Sequence, residues 1–113
     1  MNVPNLLLAQ CQPQRSALLK EDLPSWLAHV PGWSADPENK LIARRFSFEN
    51  FYQVMAFINA VAEVAHAQDH HPEMHVGYAA CTLSYSTHSA HGLTANDFIC
   101  AAQVSALPEA TAE

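Results

Sequence analysis

Hydrophobic and polar positions change period several times along the chain. Residues 40–48 alternate: Ile42, Phe46 and Phe48 fall on one face, Leu41, Ala43, Arg45 and Ser47 on the other, with Arg44 on the apolar side. A period of two predicts a half-buried strand. From Glu49 the period lengthens, and Phe51, Val54, Met55, Ile58, Val61, Ala62 and Ala65 recur at spacings of three and four. That pattern predicts an amphipathic helix facing a core. It should run to about Gln68, because Pro72 disfavours helical backbone just before it. Alternation then returns over residues 74–86, with Cys81, Leu83 and Tyr85 opposite Thr82, Ser84 and Ser86. The segment is too long for one ordinary strand, so two strands with a break near residues 77–80 are expected.

Before these elements, residues 1–15 read as an irregular lead-in. Ser16 is placed to cap a helix over residues 17–23, restarted at Pro24, with Trp26, Leu27 and Val30 facing inward and Pro31-Gly32 ending it. Residues 33–36 suggest a short strand and Pro37-Glu38-Asn39 a hairpin turn. Near the other end, Thr94 followed three residues later by Asp97 signals a capped helix start. The helix it opens would pack Phe98, Ile99, Ala102 and either Val104 or Leu107, leaving residues 108–113 as a flexible tail. The order is helix, strand, strand, helix, strand, strand, helix. Short turns within the strand pairs imply hairpins, so an α+β domain over residues 16–107 is expected, a four-stranded antiparallel sheet with three helices packed on one face.

Composition narrows the function. A chain of 113 residues holds one core. Apolar residues make up 50% and charged residues 14%, which argues against disorder and suggests that some apolar surface is covered by another subunit. Five Lys/Arg against eleven Asp/Glu give a net charge of −6, so there is no basic stripe to neutralise nucleic-acid phosphates or to dock on an anionic membrane surface. No apolar run reaches the ~18 residues a membrane-spanning helix needs. Cys11, Cys81 and Cys100 include no CxxC pair, which disfavours a disulfide framework and points to a reducing cytoplasm. Cys81 reads as a small buried hydrophobe. The stretch from Leu6 to Cys11 superficially resembles a lipoprotein leader, but it lacks a basic start, its apolar part is short, and Gln10 is too large for the cleavage position.

Histidine is the unusual residue: six of the seven lie between His66 and His91. His70-His71-Pro72 falls where the long helix ends, and His88 follows the last strand. Antiparallel pairing returns the chain, which brings His88 toward His70 and His71 at one end of the sheet, the kind of position where reactive groups sit on a rigid scaffold. His66 and His70, one helical turn apart, are spaced to chelate zinc, with His71, His75 or His88 to complete the set. Against this, there is no HExxH motif and Glu73 lies beyond a proline, so no metal is expected. No Ser-His-Asp order or reactive thiol setting supports covalent catalysis. Imidazoles that titrate near neutral pH can donate one proton and accept another, which suits a dehydration needing no cofactor.

These residues resemble the pterin-4a-carbinolamine dehydratase family. His66-x3-His70-His71-Pro72, Tyr78, Thr87-His88, Gly92-Leu93-Thr94 and Asp97 match the family's active-site pattern in order and spacing, and Pro31-Gly32-Trp33 matches its Gly-Trp element. The resemblance spans residues 16–107. It implies a lyase that dehydrates 4a-hydroxytetrahydropterin to quinonoid dihydropterin, recycling the pterin cofactor of aromatic amino acid hydroxylases, phenylalanine hydroxylase above all. It also implies that His70 and His88 do the acid–base work while His71 positions the pterin. Asp97 would orient a histidine besides fitting a helix cap. Trp33 would form an apolar wall besides fitting the core, and backbone groups near Ser86 and Thr87 would meet the pterin edge. His66 stands where many members have an acid, Met74 where an aromatic is common and Val76 where an asparagine is common; these bear on pocket shape. Members form homo-oligomers, dimers that pair into tetramers. In animals the family also serves as a non-catalytic partner of a transcription factor, which is the rival reading for this chain.

Overall fold

In the computed structural model, which describes residues 3–110, strand β2 (Ile42–Ser47) lies at the centre of the expected sheet. Its partners are β1 (Ser34–Ala35) and β4 (Ala80–Tyr85), and β3 (Glu73–Val76) pairs with the far side of β4; every pairing is antiparallel and the order is β1-β2-β4-β3. Helices α1 (Leu23–Leu27), α2 (Phe51–Gln68) and α3 (Ala95–Ser105) complete the α+β fold. The register sets Ile42 opposite Tyr85 and Phe46 opposite Cys81, so the apolar sets of both central strands share one face. That face is buried with Val54, Phe57 and Val61 of α2 and Phe98, Cys100 and Val104 of α3. The rings of Phe46 and Phe48 sit 4.6 and 5.2 Å from that of Phe57.

Arg44 stays on the inner face without breaking the strand. Its guanidinium carbon lies 4.4 Å from the centre of the Phe46 ring and Nη1 donates to Ser105 Oγ at 3.1 Å, a cation–π contact at the margin of the core. The same side chain explains Gly32: at φ +91 a Cβ there would stand 3.1 Å from Arg44 Nε, where only glycine fits without strain.

The expected helix over residues 17–23 does not form. Leu18 N–H bonds to Leu93 C=O at 2.8 Å, and the chain makes only a 3-10 turn, Lys20–Asp22, before α1. Pro24 is the reason: without an N–H it cannot bond back to the preceding turn, whereas in the first turn of a new helix that donor is not needed. The buried stripe of α2 is also rotated from the expected one. Val54, Phe57 and Val61 are buried, while Phe51, Met55 and Ala62 are exposed. The 3.6-residue period is right, but Phe57, the residue that fills the space over the sheet, centres the stripe, so part of the apolar surface of α2 is left outside.

Asn50 caps α2 by accepting from Gln53 N–H at 2.9 Å. Its end is set by Asp69, whose left-handed backbone (φ 53) closes the helix with an N–H to Ala65 C=O. Among the described residues before Ser16 there is no helix or strand, yet the segment is fastened. Leu6 is buried in the core, and Gln68 Oε1 accepts from Cys11 N–H at 2.7 Å. Gln103 Nε2 donates to the carbonyls of Leu6 and Ala9, and Asn96 exchanges two hydrogen bonds with the Gln12 backbone. Residues 6–12 thus form a strap across α3 and the end of α2. After α3 the chain makes a 3-10 turn, Pro108–Ala110; positions 1–2, and 111–113 of the expected tail, lie outside the described residues.

Candidate active site

The reversal at Asp69 throws His70 off the axis of α2 toward α3. There its Nε2 meets Asp97 Oδ1 at 2.7 Å. Asp97 is fully buried, and its second oxygen accepts from Thr87 Oγ1 at 2.8 Å and from Thr94 N–H at 2.9 Å. The capping and histidine-orienting roles of Asp97 are therefore one arrangement: one carboxylate oxygen closes the first turn of α3, the other holds the imidazole. Thr87 and Thr94 hydroxyls lie 2.7 Å apart, so the carboxylate sits in a small, dry polar network. The His70 ring stacks on Tyr85, with centres 5.9 Å apart and planes 16° from parallel.

Burial opposes the imidazolium of His70, but the Asp97 hydrogen bond and its charge, helped by Cys11 and Asp69, together raise the pKa of His70 above the ordinary histidine value. With Nε2 committed to Asp97, Nδ1 is the nitrogen left for a ligand.

His70 opens on a cleft of about 500 Å3 whose other walls include His71, His88, Ser86, Thr87 and Glu73. This volume suits a small bicyclic molecule. His71 follows His70 in this lining, and His88, which begins the 3-10 turn His88–Ala90, lines the same cleft. The hairpin of β3 and β4 thus gathers the three imidazoles at one end of the sheet. Ser86 is exposed in this cleft, whereas Thr87 is buried. The Thr87 N–H is spent on Gly92 C=O at 3.1 Å and its hydroxyl on Asp97, so of this pair Ser86 is the residue free to meet a ligand.

Two expected site residues stand apart. His66 is exposed on α2, one turn before His70, and is not among the residues lining the cleft. Trp33 is buried in the core, its indole N–H bonded to Ser105 Oγ at 2.8 Å and its ring against Phe46 and Tyr85. Tyr85 separates it from His70, which makes Trp33 a support behind the wall rather than the wall. Among the described residues, no three His, Cys, Asp or Glu side chains are grouped so as to hold a metal ion.

Tyr85 was legible as a core position but not as the platform under His70; its place at the end of β4, just before Ser86-Thr87, is the signal. Its hydroxyl is buried without a hydrogen-bond partner, and burial pushes its pKa up. An unpaired buried hydroxyl is a cost. Tyr85→Phe is therefore expected to keep the ring stack and leave the urea midpoint unchanged or higher, by up to about 1 kcal/mol of stability.

Comparison with known proteins places this geometry in a family. Residues 16–107 match the model of the family described as pterin 4 alpha carbinolamine dehydratase. A Nitrosomonas eutropha protein provisionally named pterin-4-alpha-carbinolamine dehydratase is 46% identical over 110 residues, covering 94% of this chain and 96% of its own. A Nitrosospira multiformis protein with the same provisional name is 43% identical over 108 residues, covering 93% and 94%. Among solved structures, a transcriptional coactivator/pterin dehydratase from Brucella melitensis superposes with a TM-score of 0.78 at 28% identity, covering 84% of this chain and 99% of that one. A pterin dehydratase-like RuBisCO assembly factor of the alpha-carboxysome, at 22% identity and a TM-score of 0.61, covers 75% and 96% and shares the fold.

Proposed function

The chain belongs to the pterin 4 alpha carbinolamine dehydratase family, and we propose that it dehydrates a 4a-hydroxytetrahydropterin to the quinonoid dihydropterin by histidine acid–base catalysis. The observation that carries this is the His70–Asp97 pair at the wall of an open cleft that also holds His71 and His88. The elimination requires a proton on the leaving 4a-hydroxyl and the removal of one from N5. As the C4a–O bond breaks, its electron pair leaves with water, and the N5–H electrons become the C4a=N5 double bond. His70, whose protonated form the Asp97 hydrogen bond and charge favour, is the acid for the hydroxyl. His88, which lines the same cleft, receives the N5 proton, directly or through one water. His71 and Ser86 position the ring, and Asp97 is a positioning residue that acts through His70. No cofactor takes part in this scheme.

In this reading residues 16–107 are the catalytic domain, working in the cytoplasm to recycle the pterin of an aromatic amino acid hydroxylase such as phenylalanine hydroxylase. A homo-oligomer, dimer or tetramer, is part of the proposal. Edge strand β3 turns Met74 and Val76 to the helix side of the sheet, opposite Leu83 and Cys81, yet they are 39% and 50% exposed. With Phe51, Met55 and Tyr78 they form an apolar margin of the kind a second subunit covers. A non-catalytic interaction module on the same fold would need no imidazole held by a buried carboxylate beside a cleft.

The test is the dehydration of synthetic 4a-hydroxytetrahydropterin followed by ultraviolet absorbance of the quinonoid product. The wild-type protein is expected to accelerate it well beyond the buffer rate, and His88→Ala to lower the enzymatic rate by at least about tenfold. Wild-type protein that does no better than buffer would remove the enzymatic reading.

A further inference from the structure

The proposed chemistry leaves two thiols unused. Cys11 on the strap and Cys100 on α3, 89 residues apart in the chain, meet with their sulfurs 3.8 Å apart. Cys100 is buried and Cys11 only partly so. Each is held on a second side: Cys11 Sγ lies 3.7 Å from the Asn96 carbonyl, and Cys100 Sγ 3.8 Å from that of His70. Cys11 also lines a cavity of about 280 Å3 with Gln12, Gln68, Asp69 and His70, and that cavity shares Asp69, His70, Thr87 and Ser89 with the active cleft. A small solute thus has a route to one sulfur of the pair and not to the other.

The two thiols are also unequal in charge. The hydrogen bond from Cys100 outweighs burial and, with His70 nearby, holds Cys11 below the ordinary thiol value. The same contact, and then burial, push Cys100 well up. An accessible sulfur inclined to ionise beside a shielded, protonated one is the division of labour of an attacking and a resolving cysteine. The third cysteine, Cys81, is buried in β4, and burial raises its pKa; it serves as an internal control.

We propose that Cys11 and Cys100 form a reversible disulfide in response to a hydroperoxide, stapling the N-terminal strap to α3 behind His70. The Cys11 thiolate attacks one oxygen of the hydroperoxide and the O–O bond breaks. The other oxygen leaves as water or an alcohol after taking a proton, and Cys11 becomes a sulfenic acid. The Cys100 sulfur then attacks the Cys11 sulfur, and the S–O bond breaks. The departing hydroxyl takes up the Cys100 proton and leaves as a second water. Two thiols lose two electrons in all, and the hydroperoxide gains them; a small-molecule dithiol reverses the change. The sulfurs must close from 3.8 Å to a bond length of about 2.05 Å. The strap can supply that movement because residues 9–15 belong to no helix or strand. Transient disulfides of this sort are the ones a reducing compartment permits. The inference stands apart from the pterin reaction and is tested without it.

The experiment treats the full chain with hydrogen peroxide, alkylates it after denaturation, and maps the peptides by mass spectrometry. The expected result is an intact mass lower by two hydrogens, a Cys11–Cys100 cross-linked peptide within one molecule, an alkylated Cys81, and reversal by dithiothreitol. The oxidised protein should melt roughly 10 °C higher, since the link closes most of the chain into a loop. In Cys100→Ser the link should be absent and Cys11 should be trapped as a sulfenic acid by dimedone. The proposal is overturned if Cys11 and Cys100 both stay alkylatable in the wild type. It is equally overturned if Cys11 is carried to sulfinic acid without cross-linking, or if the link joins two molecules.

Discussion

His70→Ala is expected to lower the dehydration rate by roughly 10²- to 10⁴-fold, the range for loss of a positioned acid or base, in a protein that still folds. The structural cost is limited because the side chain borders an open cleft, so water can reach the Asp97 oxygen it leaves behind; about 1–3 kcal/mol is the expected loss. Circular dichroism and the urea midpoint separate the two effects. His70→Gln tightens the test. Its amide can still donate toward Asp97 but carries no proton that titrates near neutrality, so stability should largely return while activity does not. Recovery of activity in His70→Gln would reduce His70 to a spacer and count against the acid role.

Asp97→Ala should have the largest effect on stability, roughly 3–5 kcal/mol by urea denaturation. It removes the partner of a buried pair, strips the cap from the Thr94 N–H and takes the carboxylate acceptor from the Thr87 hydroxyl. Asp97→Asn, nearly the same size, is the variant for chemistry. Burial still opposes the imidazolium of His70 while the Asp97 charge no longer favours it, so its pKa should fall, and the loss of activity with rising pH should begin at lower pH than in the wild type. A variant that merely loosened the fold would lower the rate without moving that limb.

The same pair fixes a pH dependence of stability. His70 is more basic folded than unfolded, so between the unfolded histidine pKa of about 6.5 and the raised folded value the native state binds more protons. The stabilisation from this group is fully present below that window and is lost as pH rises through the folded pKa.

The elements with a clear period were legible in the sequence. The alternation of Cys81, Leu83 and Tyr85 marked β4 and its inner face, and Thr94 with Asp97 marked the start of α3. Periodicity failed where two apolar stripes compete on one helix. Nothing local says that Phe57 rather than Met55 faces the sheet, because the choice depends on the space beside Phe46 and Phe48. The helix expected after Ser16 failed because Pro24 resets the hydrogen-bond ladder. Within the site, the meeting of His70, His71 and His88 followed from their placement at element ends, and Asp97 from its helix start. Long-range pairings left no trace in spacing. The Gln68, Asn96 and Gln103 amides that hold the strap are polar residues on otherwise apolar helix faces, and that mismatch is the one local sign that something polar lies against them. Trp33, which fitted either a pocket wall or the core, lies in the core and donates to Ser105, a partner 72 residues away.

The strap has a consequence for how the protein is made. Gln12 leaves the ribosome 84 residues before Asn96, the side chain that ties down its backbone, and Leu6 waits still longer for Gln103. During synthesis the sheet hairpins can collapse on α2 while the rear of His70 lies bare, since contacts so distant in the chain are slow to close. Nascent protein is thus expected to pass through a stage in which the sheet and α2 have met before Asp97 and the strap close on His70.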